Sequence, residues 1–261
     1  MSVAASLPVL KNRVYRYFRE ASSPHRILRE FLHVELKEFD RIAIVGGLVR
    51  DLARKGKVGF KSDIDIVIDG DIGKVDDLAR RLGAMPNRFG GFGYRSDRWK
   101  IDFWALSTTW AASHSHVVVE ELADITKTTF FDCDAVCYEY RAKTIHASPD
   151  YLARLRTRTI DINLLPNPSI EGNLLRAARR ILLWGVRPGE TLRNFITHHL
   201  DEALFRSIAD TEVSLFNNPV TQLFDGAAEL RAALLADQPT CFLNTAANEQ
   251  LVLPGLGCDR L

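Results

Sequence analysis

The sequence is short of cysteine, of long hydrophobic runs and of net charge, and each shortage excludes a class of protein. Its 261 residues include four cysteines, without the C-x-x-C spacing of a structural zinc site or the density of a disulfide-rich secreted domain. Its apolar runs are far shorter than the ~20 residues that cross a bilayer, and we expect no signal peptide. A formal charge of +1 excludes attraction of nucleic acid by overall charge alone. We therefore expect a cytoplasmic protein that has no contact with a membrane.

The remaining composition fits one large or two modest globular domains, because 46% of the residues are hydrophobic. We expect the cysteines to be buried as small apolar side chains: Cys133, Cys137, Cys241 and Cys258. Charge is unevenly distributed, since ten basic residues stand against four acidic ones between Arg141 and Arg193. This middle segment predicts a local basic surface that suits phosphates.

Three segments in the first third of the chain have helical patterns. Residues 10–21 and 25–39 repeat apolar side chains every three or four positions, which predicts two helices that pack on the following sheet. Ser23 is predicted to cap the second helix, with Pro24 at its first position. Residues 74–83 predict another helix, which ends at its final glycine.

One stretch early in the chain combines a glycine pair with two spaced acids. Residues 42–45 form a short apolar run that Gly46 and Gly47 stop, and a helical pattern follows them. Asp63 and Asp65 then open the next strand. The predicted order is therefore strand, glycine turn, helix and acidic strand.

The acids and the glycines suit phosphoryl-transfer chemistry. Asp63 and Asp65 point to the same side of their strand, because side chains alternate along a strand. Magnesium is a hard cation that binds one or two carboxylates together with substrate phosphates, and Asp102, in a later alternating run, is the candidate third acid. Two such ions about 4 Å apart activate an attacking hydroxyl and stabilise the leaving oxygen. Gly46 and Gly47 let the backbone and the N-terminus of the next helix approach a triphosphate.

The motifs GGLVRD, SDIDIVI and KIDFW, in this order, resemble the head domain of the class II polymerase beta-type nucleotidyltransferases, which include tRNA CCA-adding enzymes and bacterial poly(A) polymerases. The resemblance implies an α+β fold, with a mixed sheet flanked by helices as the head and a small helical neck after it. It also implies transfer of a nucleoside monophosphate from an NTP to an RNA 3′ end, with Mg²⁺ as cofactor. The implied catalytic residues and metal ligands are Asp63, Asp65 and Asp102. The implied nucleotide-binding residues are Gly46, Gly47, Arg50, Asp51, Asp134, Arg176 and Arg179.

Two motifs of this family are altered in the chain. The family's Arg-Arg-Asp becomes Thr128-Thr129-Phe130, and the motif that follows it carries Asp134 in place of an asparagine. The family's Glu-Asp-x-x-Arg resembles a protein template that selects the base. Ile170 stands at its aspartate and Asn173 at its arginine.

The sequence NLLRAARRILLW, which begins at Asn173, resembles the neck helix of this family. Its predicted apolar stripe contains Leu174, Leu175, Ala178, Ile181 and Leu182. Its arginines are predicted to lie on another face, where they suit phosphate oxygens: Arg176, Arg179 and Arg180. Further helices are predicted near 195–209 and 219–236, with an exposed helical turn rather than a hydrolase site at His198, His199 and Asp201.

The predicted organisation is N-terminal helices (1–40), a nucleotidyltransferase head (41–165) and a helical neck with the C-terminal region (166–261). Lys57 and Lys61 lie in the loop before the acidic strand, where phosphate contact and simple solvation are both open. Two alternatives for function remain open. One is a toxin- or defence-type transferase that modifies tRNA, a protein or a small molecule, and the other is a non-catalytic head that binds nucleotide. NTP is an expected partner and RNA a possible one through the basic neck residues, and the sequence does not identify a protein partner.

Overall fold

The computed structural model describes residues 2–56, 63–87, 89–96 and 98–237. The described chain divides into a first unit, which runs to Thr129 and includes Cys133–Leu152, and a second unit, which includes Phe130–Asp132 and the residues from Ala153 onward. The predictions for Lys57, Lys61, Cys241 and Cys258 lie outside the described residues. Cys133 and Cys137 are buried free thiols, as predicted. Within the described ranges, no helix has the length and apolar character needed to cross a membrane.

Two N-terminal helices open the first unit, as the apolar spacing predicts. Helix α1 (Leu7–Phe18) begins after Ser6, whose side chain accepts a hydrogen bond from the Val9 amide at 3.4 Å. Helix α2 (Ser23–Glu30) continues into one π-helical turn, Phe31–Glu35. Its N-cap is Ser22 and not the predicted Ser23, because the helix begins one residue earlier. The proline still lies in the first turn, where its missing N–H has no intrahelical partner.

Seven strands form the sheet of the first unit: β1 (Arg41–Val45), β2 (Ile64–Asp69), β3 (Met85–Pro86), β4 (Phe92–Arg95), β5 (Lys100–Ala105), β6 (Val136–Glu139) and β7 (Thr144–Ala147). Their order is β3-β4-β5-β2-β1-β6-β7. Strands β2 and β5 pair in parallel and the other neighbouring pairs are antiparallel. The predicted mixed sheet is therefore confirmed, with β2 at its centre between β5 and β1. Ile42, Ile44, Ile64 and Ile66 have no exposed surface and belong to the core.

Three helices follow strands of this sheet. Helix α3 (Gly47–Arg54) follows β1 directly, and helix α5 (Trp110–Ser113) is a single turn after β5. Helix α4 (Ile72–Leu82) begins where the Asp71 side chain accepts a hydrogen bond from the Lys74 amide at 3.1 Å. It ends at Gly83, whose φ of +63° is the left-handed conformation that glycine adopts without strain. The helix predicted over 74–83 is confirmed, with its start two residues earlier.

The second unit is mainly helical. Helix α6 (Tyr151–Thr157) runs into it, and four helices follow: α7 (Ile170–Trp184), α8 (Glu190–His199), α9 (Glu202–Leu215) and α10 (Ala227–Leu235). Two short strands, β8 (Thr159–Ile160) and β9 (Arg187–Pro188), pair in parallel. The mixed sheet flanked by helices and the helical region after it confirm the predicted α+β class.

Two predicted helix boundaries in the second unit are wrong. The pattern near 195–209 is interrupted after His199, because Asp201 caps α9 by accepting a hydrogen bond from the Leu204 amide at 2.8 Å. The pattern near 219–236 contains a short 3₁₀ turn, Thr221–Leu223, before α10 begins. Asp201, which follows the pair His198-His199, therefore caps helix α9.

Candidate active site

Three adjacent strands bring the predicted glycine turn and acids to one end of the sheet. The register pairs Val45 with Asp65 across β1 and β2, and Asp65 with Asp102 across β2 and β5. Asp63 lies directly before β2 rather than in it, and its charge raises the pKa values of Asp65 and Asp102, so it belongs to the same cluster. Acids that are far apart in the sequence are neighbours here because β2 and β5 run parallel and in register.

The turn between β1 and α3 requires glycine at its first position. Gly46 has φ +60° and ψ −119°, a conformation that side-chain-bearing residues rarely adopt. A Cβ on Gly46 would lie 3.8 Å from Oδ2 of Asp65, which shows how close the turn is to the acids. Gly47 is the first residue of α3, and no side chain caps this helix end. The start of α3 therefore presents backbone N–H groups near the acidic strand, the arrangement that binds anions.

Burial raises the pKa values of all three acids, and neighbouring negative charges raise those of Asp65 and Asp102 further. Burial is the largest cause of the raised pKa of Asp65, followed by the charges of Asp102, Asp63 and Asp134. Burial and then the Asp63 charge raise the pKa of Asp102 to about 6, and burial raises that of Asp63. Excess negative charge is thus held in a partly buried place, at a free-energy cost that a bound cation would remove.

A magnesium ion fits this donor set chemically. Within residues 2–56, 63–87, 89–96 and 98–237, no three His, Cys, Asp or Glu side chains are grouped closely enough to form a metal site on their own. Mg²⁺ does not require such a cage, since it commonly binds one or two carboxylates and completes its shell with water and substrate phosphates. Asp65 and Asp102, paired across adjacent strands, offer oxygen donors of this kind.

Two basic residues that the sequence reasoning missed act on the same acids. Arg95 and Lys100 are paired across β4 and β5. Their positive charges lower the pKa values of Asp63 and Asp102 against the effect of burial. A signal was present in the sequence, because Lys100 lies two residues before Asp102 on the same strand and therefore shares its face.

Three of the predicted nucleotide-binding residues form an ion-pair cluster. Arg50 on α3 donates hydrogen bonds from Nε to Asp51 Oδ1 at 2.9 Å and from Nη1 to Asp134 Oδ1 at 2.6 Å. Burial opposes the charge of Arg50, but the two carboxylates outweigh it and raise the arginine pKa well above its ordinary value. The cluster fixes α3 to the turn before β6. The role of these three residues in nucleotide binding stays a prediction.

The arginines of α7 have protein partners within the second unit. Arg179 is 8% exposed and pairs with Glu212, and it donates hydrogen bonds to the backbone O and Oδ1 of Asn218, both at 3.1 Å. Its guanidinium also lies 3.7 Å from the centre of the Phe216 ring. Arg176 donates to the backbone O of Gly172 at 3.3 Å. Nucleotide binding by Arg176 and Arg179 stays a prediction, and the contacts of Arg179 are those of a packing residue.

The predicted separation of α7 into an apolar stripe and an arginine face is wrong. Arg179 and Arg180 are each 8% exposed, like the leucines beside them. The buried carboxylate of Glu212 compensates the charge of Arg179, and the guanidinium of Arg180 lies 4.3 Å from the centre of the Phe131 ring. Periodicity alone does not reveal such partners, because they come from segments more than thirty residues away.

Comparison with solved structures identifies the fold. A Thermotoga maritima CCA-adding enzyme complexed with tRNA is 21% identical, with a TM-score of 0.51 over 74% of this chain and 46% of its own. A CCA-adding enzyme in complex with ATP is 19% identical, with a TM-score of 0.50 over 80% of this chain and 52% of its own. The fold is that of a CCA-adding enzyme head. The chain spans about half the length of these structures, and no protein-family model or curated protein matches it.

The two positions that differ from the CCA-adding template motif lie at the start of α7. Ile170 is 41% exposed, whereas Asn173 is 1% exposed and accepts a hydrogen bond from Arg176. The first offers only an apolar side chain, and the second is already engaged inside the unit. Neither residue supplies the charged groups with which an aspartate and an arginine would contact a base.

Proposed function

We propose that this protein is a magnesium-dependent nucleotidyltransferase. It transfers a nucleoside monophosphate from an NTP to the hydroxyl of an RNA 3′ end, forming a phosphodiester, breaking the bond between the α- and β-phosphates and releasing pyrophosphate. The observation that carries the proposal is the register that makes Asp65 and Asp102 neighbours beside Gly46 and the start of α3. This geometry combines an anion-binding helix end with paired carboxylates, and phosphoryl transfer needs both.

Each part of the site has a separate task in this proposal. The N–H groups at the start of α3 bind the phosphates, and the absence of a Cβ at Gly46 leaves the approach open. Asp65 and Asp102 would hold the metal, with the negative charge of Asp63 beside them, and bound magnesium would neutralise triphosphate charge and activate the attacking hydroxyl. Arg95 and Lys100 lower the pKa values of Asp63 and Asp102 against the effect of burial, which favours the ionised carboxylates that a metal needs.

RNA is the acceptor that the fold favours, since one matched structure is a complex with tRNA and another is a complex with ATP. Ile170 and Asn173 support a second candidate, a toxin- or defence-type transferase with another acceptor, because the base-selecting pair of the CCA-adding family is missing at these positions. The two candidates share the acids and the metal and differ only in what receives the nucleotide.

The test incubates the protein and Mg²⁺ with each α-³²P-labelled NTP, together with total RNA in one arm and RNase-treated lysate in another. We expect label at RNA 3′ ends and at least a ~100-fold loss in Asp65→Asn and Asp102→Asn, since the metal contributes several kcal/mol to such reactions. Asp69→Asn is the matched control. It lies on the same strand but at the opposite end, where it pairs with Arg41 at 2.7 Å.

The possible outcomes separate the proposals. Label in protein or in a small molecule would reject RNA as acceptor but keep the transferase. Magnesium-dependent NTP binding without any product would favour the non-catalytic head. Activity of Asp65→Asn within twofold of the unmodified protein would reject the site itself.

A further inference from the structure

A cleft of about 690 Å³ lies in the first unit, away from the acids. Its walls come from α1, from α2 with the π-helical turn, and from the β6–β7 hairpin. The backbone N–H of Tyr140 in this hairpin donates to the Ile42 carbonyl, whereas Val136 at the other end of β6 accepts from the Gly46 amide. The cleft and the glycine turn therefore lie at opposite ends of β1, about 13 Å apart at about 3.3 Å per strand residue.

The cleft is strongly basic. Five cationic side chains line it, against the single acid Glu30: Arg19, Arg26, Arg29, Arg141 and Lys143. None of the five forms an ion pair within the part of the chain that the structure describes. Arg29 and Arg141 donate to backbone carbonyls at 2.6–2.8 Å, which fixes their position and leaves their charge uncompensated. Such a surface attracts an anion.

Aromatic rings are interleaved with these cations. The Arg19 guanidinium and the Lys143 ammonium lie 5.3 and 5.5 Å from the centre of the Tyr15 ring. The Tyr140 ring is half-buried, packs edge-on against Phe18 with ring centres 5.2 Å apart, and its hydroxyl lies 3.2 Å from His33 Nε2. Partly exposed rings beside unpaired cations provide a stacking surface and a phosphate-binding surface together.

We propose that this cleft binds a nucleoside phosphate, with the base stacked on Tyr15 or Tyr140 and the phosphates bound by Arg26, Lys143 and their basic neighbours. The volume lies within the range of small-ligand sites and accommodates a nucleotide. The ligand is either a free nucleotide or one segment of a single-stranded RNA, which present the same chemistry. The proposal does not depend on transfer activity at the acids.

The test measures binding in EDTA, so that magnesium at the acids makes no contribution. Fluorescence anisotropy follows a labelled mixed-sequence RNA heptamer, with AMP, ATP and an octaglutamate peptide as competitors. The variant Arg26→Ala/Lys143→Ala removes two exposed cations of the cleft. The control Lys74→Ala/Arg80→Ala removes two exposed cations from α4, with the same change in charge. Circular dichroism verifies that each variant is folded.

We expect the cleft variant to weaken RNA binding at least about 10-fold and to reduce the salt slope by about 1.4, because each lost phosphate contact removes about 0.7 from the slope for single strands. Tyr15→Leu is expected to weaken binding about 5- to 150-fold, the range for stacking one base on a ring. The control variant is expected to stay within twofold.

The competition experiment distinguishes a free nucleotide from a segment of single-stranded RNA as the ligand of the cleft. Displacement of the RNA by submillimolar AMP or ATP identifies a free nucleotide as the ligand, and RNA binding that resists both identifies a strand segment. Equal losses in the cleft and control variants, or displacement by octaglutamate as effective as by nucleotide, would overturn the proposal. Binding in the cleft without nucleotide transfer would support this proposal and not the enzymatic one. Transfer without binding in the cleft would support the enzymatic proposal and not this one.

Discussion

Replacing Asp102 by asparagine is expected to stabilise the metal-free protein above pH 6 while removing its activity. Burial and the nearby charge of Asp63 raise the pKa of Asp102 from its ordinary value of 3.8 to about 6. The folded state therefore binds this proton more tightly than the unfolded state does. The resulting stabilisation is complete below pH 3.8 and is lost as the pH rises through 6, so the folded protein carries the full cost of the charge at pH 8.

The magnitude follows from the pKa change. At about 1.4 kcal/mol per pKa unit, a rise from 3.8 to about 6 corresponds to about 3 kcal/mol, and the solvent exposure of Asp102 reduces this to about 1–2 kcal/mol. Asp102→Asn removes the ionisation, so its free energy of unfolding at pH 8 is expected to exceed that of the unmodified protein by this amount. This difference in the free energy of unfolding is expected to shrink toward pH 4.5, where Asp102 is protonated in the folded protein.

The assay is urea unfolding in EDTA, followed by tryptophan fluorescence in a Trp184→Phe background. The three remaining tryptophans, Trp99, Trp104 and Trp110, then all report on the first unit. Asp76→Asn on the exposed side of α4 is the matched control and is expected to leave stability unchanged. Destabilisation of Asp102→Asn at pH 8, or a gain that is independent of pH, would refute the reasoning that the acids repel one another.

Three further predictions concern other parts of the two units. Lys100→Ala is expected to raise the pKa of Asp102, because the lysine charge lowers it, and to move the acidic limb of the transfer pH profile to higher pH; an unchanged limb contradicts this. Gly46→Ala is expected to cost about 1–3 kcal/mol in urea unfolding because of its positive φ, and equal stability contradicts the turn geometry. Glu212→Gln is expected to cost about 3–5 kcal/mol by leaving a buried arginine unpaired. Hydrogen exchange of α7 and α9 peptides checks this against Asp210→Asn on the exposed side of α9, and equal protection in both variants contradicts it.

Local patterns were sufficient to predict the strand, glycine turn, helix and acidic strand around Gly46 and Asp65. Each of these elements depends on residues within a few positions of one another, such as a glycine pair after an apolar run or two acids spaced by one residue. The pairing of Asp65 with Asp102 depends on the parallel register of β2 and β5. The resemblance of the motifs predicted that the acids share a site, and neither strand shows this pairing alone.

The second unit was less predictable because its polar residues have distant partners. Glu212 is completely buried, and it accepts hydrogen bonds from the amides of Val220 and Thr221 at 3.0 and 2.8 Å as well as from Arg179. Arg179 therefore lies in the core although its residue type is typical of surfaces. At Asp201 the signal was local: the sequence predicted an exposed helical turn rather than a hydrolase site there, and the acid caps helix α9.

The acidic strand shows how a sheet accommodates a site that opposes its own stability. Alternation along β2 directs Ile64 and Ile66 into the core, where neither has exposed surface, and directs Asp65 to the opposite side, beside Asp102 on the next strand. Complete burial of two isoleucines contributes about 3–6 kcal/mol at about 1.5–3 kcal/mol each. This exceeds the cost of about 1–2 kcal/mol that we assign to the ionised Asp102 on the adjacent strand. The same two-residue period therefore places the carboxylates together and supplies the packing that offsets their repulsion, and a register slip of one residue would remove both.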